Sequence, residues 1–305
     1  MQTFSELFAS GKIKPLPSHA STKNFYIGNW EGERALFIYF ENGKEEKENF
    51  KRLTEILVYY GISVPKIIYE PDSDEPFLTT EFIDGKLLSQ AVFSEEIFEK
   101  VLREAKKFSC LDFKNYSPLV LDEKRIKYEF DFFLLHFCQS FLNENLQSQI
   151  KEEMYFFAEE IDKFPKTYCH RDFHSENIIV KEKNVFILDY QDLLLAPRTY
   201  DFASLYVDGY FDFPRIAKDE IVKNVKTYFE ADETELKKTA LQRAIKALGT
   251  FGFQIVYRKK SKYISSVKRT ANYLYELSSE EIVKSEILRN FLHNLQRKIT
   301  SELCG

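Results

Sequence analysis

The stretch Tyr168-Cys-His-Arg-Asp-Phe-His-Ser-Glu-Asn-Ile-Ile-Val180, followed by Val185-Phe-Ile-Leu-Asp-Tyr-Gln-Asp192, holds the side chains of this sequence best suited to chemistry. Asp172 and Asn177 are separated by four residues. Asp189 follows two short β-type runs, Ile178 to Val180 and Val185 to Leu188, joined by the turn-like Lys181-Glu-Lys-Asn184. Moving a phosphoryl group demands little covalent help from a protein. It needs a carboxylate aimed at the attacking hydroxyl, hard oxygen donors for magnesium, and neutralisation of phosphate charge. Asp172 matches the first need, and Asn177 and Asp189 the second.

His170, Arg171, Asp172 and Asn177 fill every specified position of the H-R-D-x-x-x-x-N loop of kinases. Asp189-Tyr-Gln191 stands where protein kinases carry Asp-Phe-Gly, without the glycine, and no Ala-Pro-Glu follows. The text Cys169-His-Arg-Asp-Phe-His-Ser-Glu-Asn177, Leu188-Asp-Tyr-Gln-Asp192 and Pro197-Arg-Thr-Tyr-Asp-Phe-Ala-Ser-Leu205 resembles the aminoglycoside phosphotransferase and choline kinase superfamily. Three further stretches resemble one branch of it, the anomeric kinases that phosphorylate N-acetylmuramate and N-acetylglucosamine at C1 in bacterial cell-wall recycling. They are Pro15 to Tyr26, Gly61-Ile-Ser-Val-Pro-Lys-Ile67 and Leu241-Gln-Arg-Ala-Ile-Lys-Ala-Leu-Gly-Thr-Phe-Gly252.

The resemblance implies an α+β, bilobal protein-kinase-like fold with a small β-rich N-lobe and a larger, mainly helical C-lobe. It implies ATP and Mg2+ as cofactors and a small-molecule acceptor. Asp172 is then the catalytic base, mainly a positioning group because an ordinary aspartate is a weak base. Asn177 and Asp189 are the magnesium ligands. His170, Arg171 and Asp201 support the loop, with Asp201 bracing it from a following helix. Gln191 and Asp192 follow a metal ligand directly and match the family's text, which reads as site lining.

The elements that must hold these groups follow from periodicity. Asn24 to Gly28 and Arg34 to Phe40 read as strands around the turn Asn29-Trp-Glu-Gly-Glu33. Lys44 to Tyr60 carries Phe50, Leu53, Ile56 and Leu57 at helical spacing, and Lys66 to Tyr69 and Phe77 to Ile83 return to strand. Beyond Asp84-Gly85 helices are expected over Glu95 to Cys110, Glu123 to Leu142, Leu146 to Phe164, Tyr200 to Asp208, Arg215 to Glu230, Glu233 to Tyr257 and Ser261 to Glu276. The boundary falls near Asp84, giving an N-lobe of 1–84 and a C-lobe of 85–305. The backbone of Glu81, Phe82 and Ile83 is expected to meet the adenine edge. Ala35-Leu-Phe-Ile-Tyr-Phe40 lacks the lysine that many kinases aim at the phosphates. Lys23 is the candidate substitute, positioned by a helix carboxylate such as Glu48, with Ser21 and nearby backbone amides covering the phosphates.

Other residues have two readings. His170 reads as a structural histidine, whereas His174 reads equally as packing or as a group facing substrate. Gln242, Arg243 and Lys246 on one helix read as a solvated face, or, for Arg243 and Lys246, as binders of an acidic sugar. The aromatic run Tyr128 to Phe137 reads as core rather than a sugar platform, and Arg258-Lys-Lys-Ser-Lys262 as a solvated junction.

The 305 residues include 44% hydrophobic side chains with 29 Phe and 18 Tyr, enough to fill sizeable cores, and only 10 Gly and 9 Pro, which disfavours disorder. A net charge of -5 without a basic stripe argues against nucleic acid. No run reaches the ~18 apolar residues of a membrane span. Cysteines 110, 138, 169 and 304 form no C-x-x-C pair and no signal-peptide pattern opens the chain, which fits a reducing cytoplasm. The expected activity is ATP- and Mg-dependent transfer to the anomeric hydroxyl of an N-acetyl amino sugar. The alternatives are a kinase of choline, ethanolamine, homoserine or an aminoglycoside, or a catalytically silent binding module. Charge at the acceptor side separates the kinase readings, since a cationic acceptor requires an acidic pocket.

Overall fold

The computed structural model describes residues 3–16, 23–72, 75–113 and 119–304, so Ser21 lies outside the described residues. Helices and strands run α1 (Phe4–Ala9), β1 (Ile13–Pro15), β2 (Lys23–Trp30), β3 (Glu33–Phe40), α2 (Lys44–Tyr59), β4 (Ile67–Tyr69), β5 (Phe77–Glu81) and β6 (Lys86–Leu87). Next come α3 (Glu95–Ser109), β7 (Leu119–Val120), α4 (Glu123–Phe133), α5 (Ser148–Asp162), β8 (Lys166–Cys169), β9 (Ile178–Lys181), β10 (Asn184–Ile187) and β11 (Leu194–Pro197). The chain finishes with α6 (Tyr200–Tyr206), α7 (Arg215–Phe229), α8 (Glu233–Val256), α9 (Ile264–Glu276) and α10 (Glu286–Cys304). Two compact units result, Met1–Leu87 with Ile178–Gln191, and Leu88–Asn177 with Asp192–Gly305. The first unit thus ends its leading segment at Leu87 and takes in the hairpin 178–191.

In the first unit an antiparallel sheet has the order β1-β2-β3-β5-β4. The β2/β3 hairpin turns on Glu31 and Gly32 alone, with φ of 50° and 89°. Two positive φ angles are what a two-residue hairpin turn of matching twist requires, so the strands extend further than the five-residue turn expected from sequence. One sheet face buries Leu7, Ile13, Ala35, Phe37 and Phe77. On the other, Phe40 meets Phe50 of α2, with ring centroids 5.5 Å apart. The buried stripe of α2 is Phe50, Leu53, Thr54 and Leu57. The β9/β10 hairpin pairs through β9 with β6.

In the second unit β11 runs antiparallel to β8 and parallel to β7. Around these strands α8 packs against α4, α5, α6, α7 and α9. Its segment from Ala240 to Gly252 is almost wholly buried, including Gln242 and Arg243. The expected helix Glu123 to Leu142 is α-helical only to Phe133 and then widens to π turns over Leu134–Gln139. This widening faces two glycines of α8. A Cβ on Gly249 would lie 2.9 Å from the Phe133 Cα, and one on Gly252 2.7 Å from the His136 carbonyl oxygen. Among the described residues no helix is long and apolar enough to cross a membrane.

Candidate active site

Strand β8 delivers the chain into residues 170–177, and this loop is pinned from two directions. The Asp201 carboxylate, at the start of α6, accepts the backbone N–H of His170 at 2.8 Å and of Arg171 at 3.2 Å. Arg171 has φ of 80°, a left-handed conformation costly for any residue with a Cβ. Two amides on one buried carboxylate hold it there. Burial raises the Asp201 pKa to about 7, against the lowering effect of those same hydrogen bonds. Asp208 braces the other half of the loop: its carboxylate accepts from Ser175 N at 2.7 Å, Tyr210 N at 2.7 Å and Phe211 N at 3.1 Å. The sequence offered no motif that singles out Asp208. His170 is fully buried, its ring edge-on to Phe108 and Phe173 at 5.4 and 5.6 Å, a packing position.

Asp172 lies in the middle of the loop, and its Oδ1 accepts from Lys246 Nζ at 2.7 Å and Arg243 Nη2 at 3.4 Å. Both cations come from one turn of α8. Arg243 is itself fixed by its Nη1 donating to the Tyr200 hydroxyl at 3.2 Å. Burial works to raise the Asp172 pKa, but Lys246 and then Arg243 overcome it and hold the carboxyl well below its ordinary 3.8. Burial also lowers the Lys246 pKa. His174 is driven down to about 3, first by burial and then by the two cations, so it is a neutral imidazole at physiological pH. Among the described residues its Nδ1 has no hydrogen-bond partner. Asn177 donates through Nδ2 to the Asp172 carbonyl oxygen at 2.9 Å, which commits the amide nitrogen and leaves Oδ1 as the atom able to meet a cation. Arg171 faces the exposed Asp192 carboxylate at 4.0 Å.

The solvated-face reading of Gln242, Arg243 and Lys246 is corrected by this geometry. Gln242 is fully buried and donates to Glu129 Oε2 at 2.6 Å, Arg243 is 5% exposed, and the Lys246 side chain 16%. A usable signal was present: the surrounding sequence is apolar on every side of the helix, so a cation within it must be paired. In the run Tyr128 to Phe137, Phe130, Phe133 and Phe137 are fully buried and serve as core, while Tyr128 and Leu135 are exposed.

Within the first unit, Asp189 has φ of 59° and its Oδ1 accepts from Gln191 Nε2 at 2.7 Å. Tyr190 anchors this turn. Its ring stacks on Phe50 of α2 at 5.4 Å and its hydroxyl is 2.7 Å from that of Thr54. Phe50 also carries Lys23, whose Nζ lies 5.4 Å from the ring centroid. Lys23 is buried, and Glu48, the carboxylate expected to position it, ion-pairs with Lys47 at 3.5 Å. Glu81, Phe82 and Ile83 line a cavity of about 630 Å3 with Arg34, Ser63 and Lys181, and Lys23 is not in its lining. Among the described residues no three His, Cys, Asp or Glu side chains cluster to hold a metal by themselves. Asn177 and Asp189 each carry a hard oxygen donor of the type magnesium takes.

Residues 12–238 match the family model described as the phosphotransferase enzyme family. The chain belongs to that family. Along 86% of its length the phosphotransferase is 24% identical to the N-acetylmuramate/N-acetylglucosamine kinase of Pseudomonas aeruginosa, of which 82% is covered. A kinase of the same name from Neisseria meningitidis serogroup B is 29% identical over 37% of each chain. Among solved structures, the choline kinase LicA from Streptococcus pneumoniae shares the fold with a TM-score of 0.63, at 12% identity, over 90% of this chain and 96% of that one. The ADP-bound aminoglycoside phosphotransferase APH(2'')-Ib gives 0.55 at 17% identity, over 92% and 98%. The phosphotransferase thus has a protein-kinase-like fold, with a β-sheet N-terminal region and a mostly helical remainder.

Proposed function

We propose that this phosphotransferase is an ATP- and magnesium-dependent kinase whose acceptor is an N-acetylated amino sugar, phosphorylated on its anomeric hydroxyl. One observation carries the acceptor class. Lys246 and Arg243 both stand against Oδ1 of Asp172, so an acceptor that reaches this carboxylate meets two cations there. Desolvating an ammonium beside two buried cations is costly, which argues against choline, ethanolamine and aminoglycosides as acceptors. A neutral N-acetylglucosamine or an anionic N-acetylmuramate meets no such penalty, and the name of the Pseudomonas aeruginosa relative supports the same class.

The transfer is a direct in-line displacement. The acceptor oxygen bonds to the γ-phosphorus, the bridging bond to ADP breaks, and the hydroxyl proton passes to Asp172. With two cations on Oδ1, Asp172 is a feeble base and serves mainly to aim the hydroxyl. A hemiacetal hydroxyl, made more acidic by its ring oxygen, suits such a base better than an ordinary alcohol. Asn177 and Asp189 are assigned to magnesium, which when bound neutralises the phosphates. Lys23, Ser21 and the backbone of Glu81, Phe82 and Ile83 are assigned to the nucleotide. His174, Gln191, Asp192 and Arg243 are assigned to the acceptor side, and His170, Arg171 and Asp201 to loop support. Unpaired thiols at Cys110, Cys138 and Cys169, with the need for ATP, support a cytoplasmic role in recycling cell-wall sugars. Incubating the protein with magnesium-ATP and N-acetylglucosamine, N-acetylmuramate, choline, homoserine and kanamycin, with products read by mass, tests this. A phosphorylated sugar that loses reducing-end reactivity is expected; turnover of choline or kanamycin alone overturns the reading.

A further inference from the structure

Beyond His174 the side chains of the second unit change character from charged to aromatic. The His174 ring packs on Tyr210 with centroids 4.8 Å apart. Tyr210 stands edge-on to Phe251 at 5.7 Å and lies 6.5 Å from Tyr263. Tyr263 stacks on Phe251 at 5.4 Å with an interplanar angle of 22°. Phe251 is 2% exposed and belongs to the core, whereas Tyr210 and Tyr263 are only half-buried. Two rings are thus mounted on a buried third, each keeping part of its surface uncovered.

The mounting is fixed to the catalytic loop. Asp208 holds the backbone of Tyr210 and that of Ser175 with one carboxylate. From α9, Arg269 Nη1 donates to the Gly209 carbonyl oxygen at 2.7 Å and secures the same turn. His174, two residues beyond Asp172, joins the base loop to this wall through its contact with Tyr210, and among the described residues its Nδ1 has no hydrogen-bond partner.

We propose that Tyr210 and Tyr263, backed by Phe251, form an acceptor subsite on which the C–H face of a pyranose ring stacks, with His174 addressing a hydroxyl at its rim. The inference rests on the sugar-kinase reading above and adds to it the groups that recognise the sugar's apolar face. Aromatic rings beside a reactive centre also suit a quaternary ammonium. The Lys246 and Arg243 charges at the neighbouring carboxylate favour the uncharged or anionic ring instead.

The test compares Y210L, Y263L, Y210F and Y263F with wild type, using magnesium-ATP and each of N-acetylglucosamine, N-acetylmuramate and choline. Loss of a stacked ring should raise the acceptor KM about tenfold, with the KM for ATP and kcat nearly unchanged. The phenylalanine variants, which keep the ring, should stay within about twofold of wild type. A wall that merely supports the fold would move kcat, the ATP KM and thermal stability together. Acceptor KM values within about twofold of wild type in both leucine variants overturn the proposal. Should a leucine variant fail to fold, saturation-transfer NMR on D172N with N-acetylglucosamine decides: transfer from aromatic protons to the ring C–H protons is expected, and its absence overturns the subsite. If the sugars are not phosphorylated but choline is, and the leucine variants raise the choline KM, the wall exists but holds an ammonium, and the pyranose assignment falls.

Discussion

Asp172 meets two cations on one oxygen, and much of the site's expected behaviour follows from that contact. Replacing the carboxylate by an amide keeps its shape and removes its charge. D172N should lose about 100-fold or more in kcat while its magnesium-nucleotide Kd, measured calorimetrically, stays unchanged; full turnover would remove Asp172 from the base assignment. Lys246 acts through Asp172, so K246M should lower kcat about tenfold with the ATP KM unaltered and K246R should recover most of it. A K246M enzyme as active as wild type would make the ion pair incidental. His174 supplies a pH signature. Its imidazole takes up a proton near 6.5 when unfolded and only near 3 when folded. Between those values the unfolded state binds more protons, so stability present above 6.5 is lost as pH falls through the window. Urea unfolding should show wild type losing about 1 to 2 kcal/mol more than H174N between neutral pH and about pH 5. Parallel losses in the two proteins would mean that His174 is not held neutral by its surroundings.

At the scale of elements, α8 couples fold and site, because the helix that supplies Arg243 and Lys246 also packs through glycine against the widened turns after α4. Adding a Cβ at Gly252 places it 2.7 Å from the His136 carbonyl oxygen, a backbone atom that cannot swing away. G252A should therefore cost about 1 to 3 kcal/mol and reduce kcat as α8 is displaced, read by denaturation and steady-state rates; unchanged values in both would show that the two helices have slack. The helix itself was legible from its periodicity, and so were α2, α3, α5, α7 and α9, each within a few residues of its observed limits. The burial of Gln242 and Arg243 was passed over, because a single polar residue carries the same letter on a wet face and a dry one and only the apolar sequence around it tells them apart. α10 was passed over although Leu288, Leu292, Leu295 and Ile299 form an i, i+4, i+7, i+11 stripe that the structure buries. The short α1, with its Thr3–Glu6 capping box, and the two-residue strand β7 are too brief to leave a period in the sequence. Asp172, Asn177 and Asp189 were singled out by spacing because they lie close along the chain; Asp208 and Tyr210 were not, because only folding brings them to the loop, and Tyr263 to Tyr210.

For the molecule as a whole, the first unit carries Asp189 and Lys23 and the second carries Asp172 and Asn177, so the nucleotide-binding assignment is a statement about the folded chain and not about either segment. A ligand that binds only the native state stabilises it by RT ln(1 + [L]/Kd), about 2.7 kcal/mol at a hundredfold excess over Kd. For a protein of this size that is a rise of several degrees in the melting temperature. A non-hydrolysable ATP analogue should therefore raise the calorimetric Tm of wild type, and magnesium should enlarge the rise. The two contributions separate in D189A. Removing one of the two residues assigned to magnesium should abolish the magnesium-dependent part and leave the smaller nucleotide-only part, since Lys23 and the backbone of Glu81 to Ile83 are untouched. Loss of both parts in D189A would place the residue in the fold rather than at the metal, which its Tm without nucleotide would reveal directly. Retention of both would move the metal to other oxygen donors. D172N serves as the matched comparison, because removing the carboxylate assigned as base should leave the full magnesium-dependent rise in place.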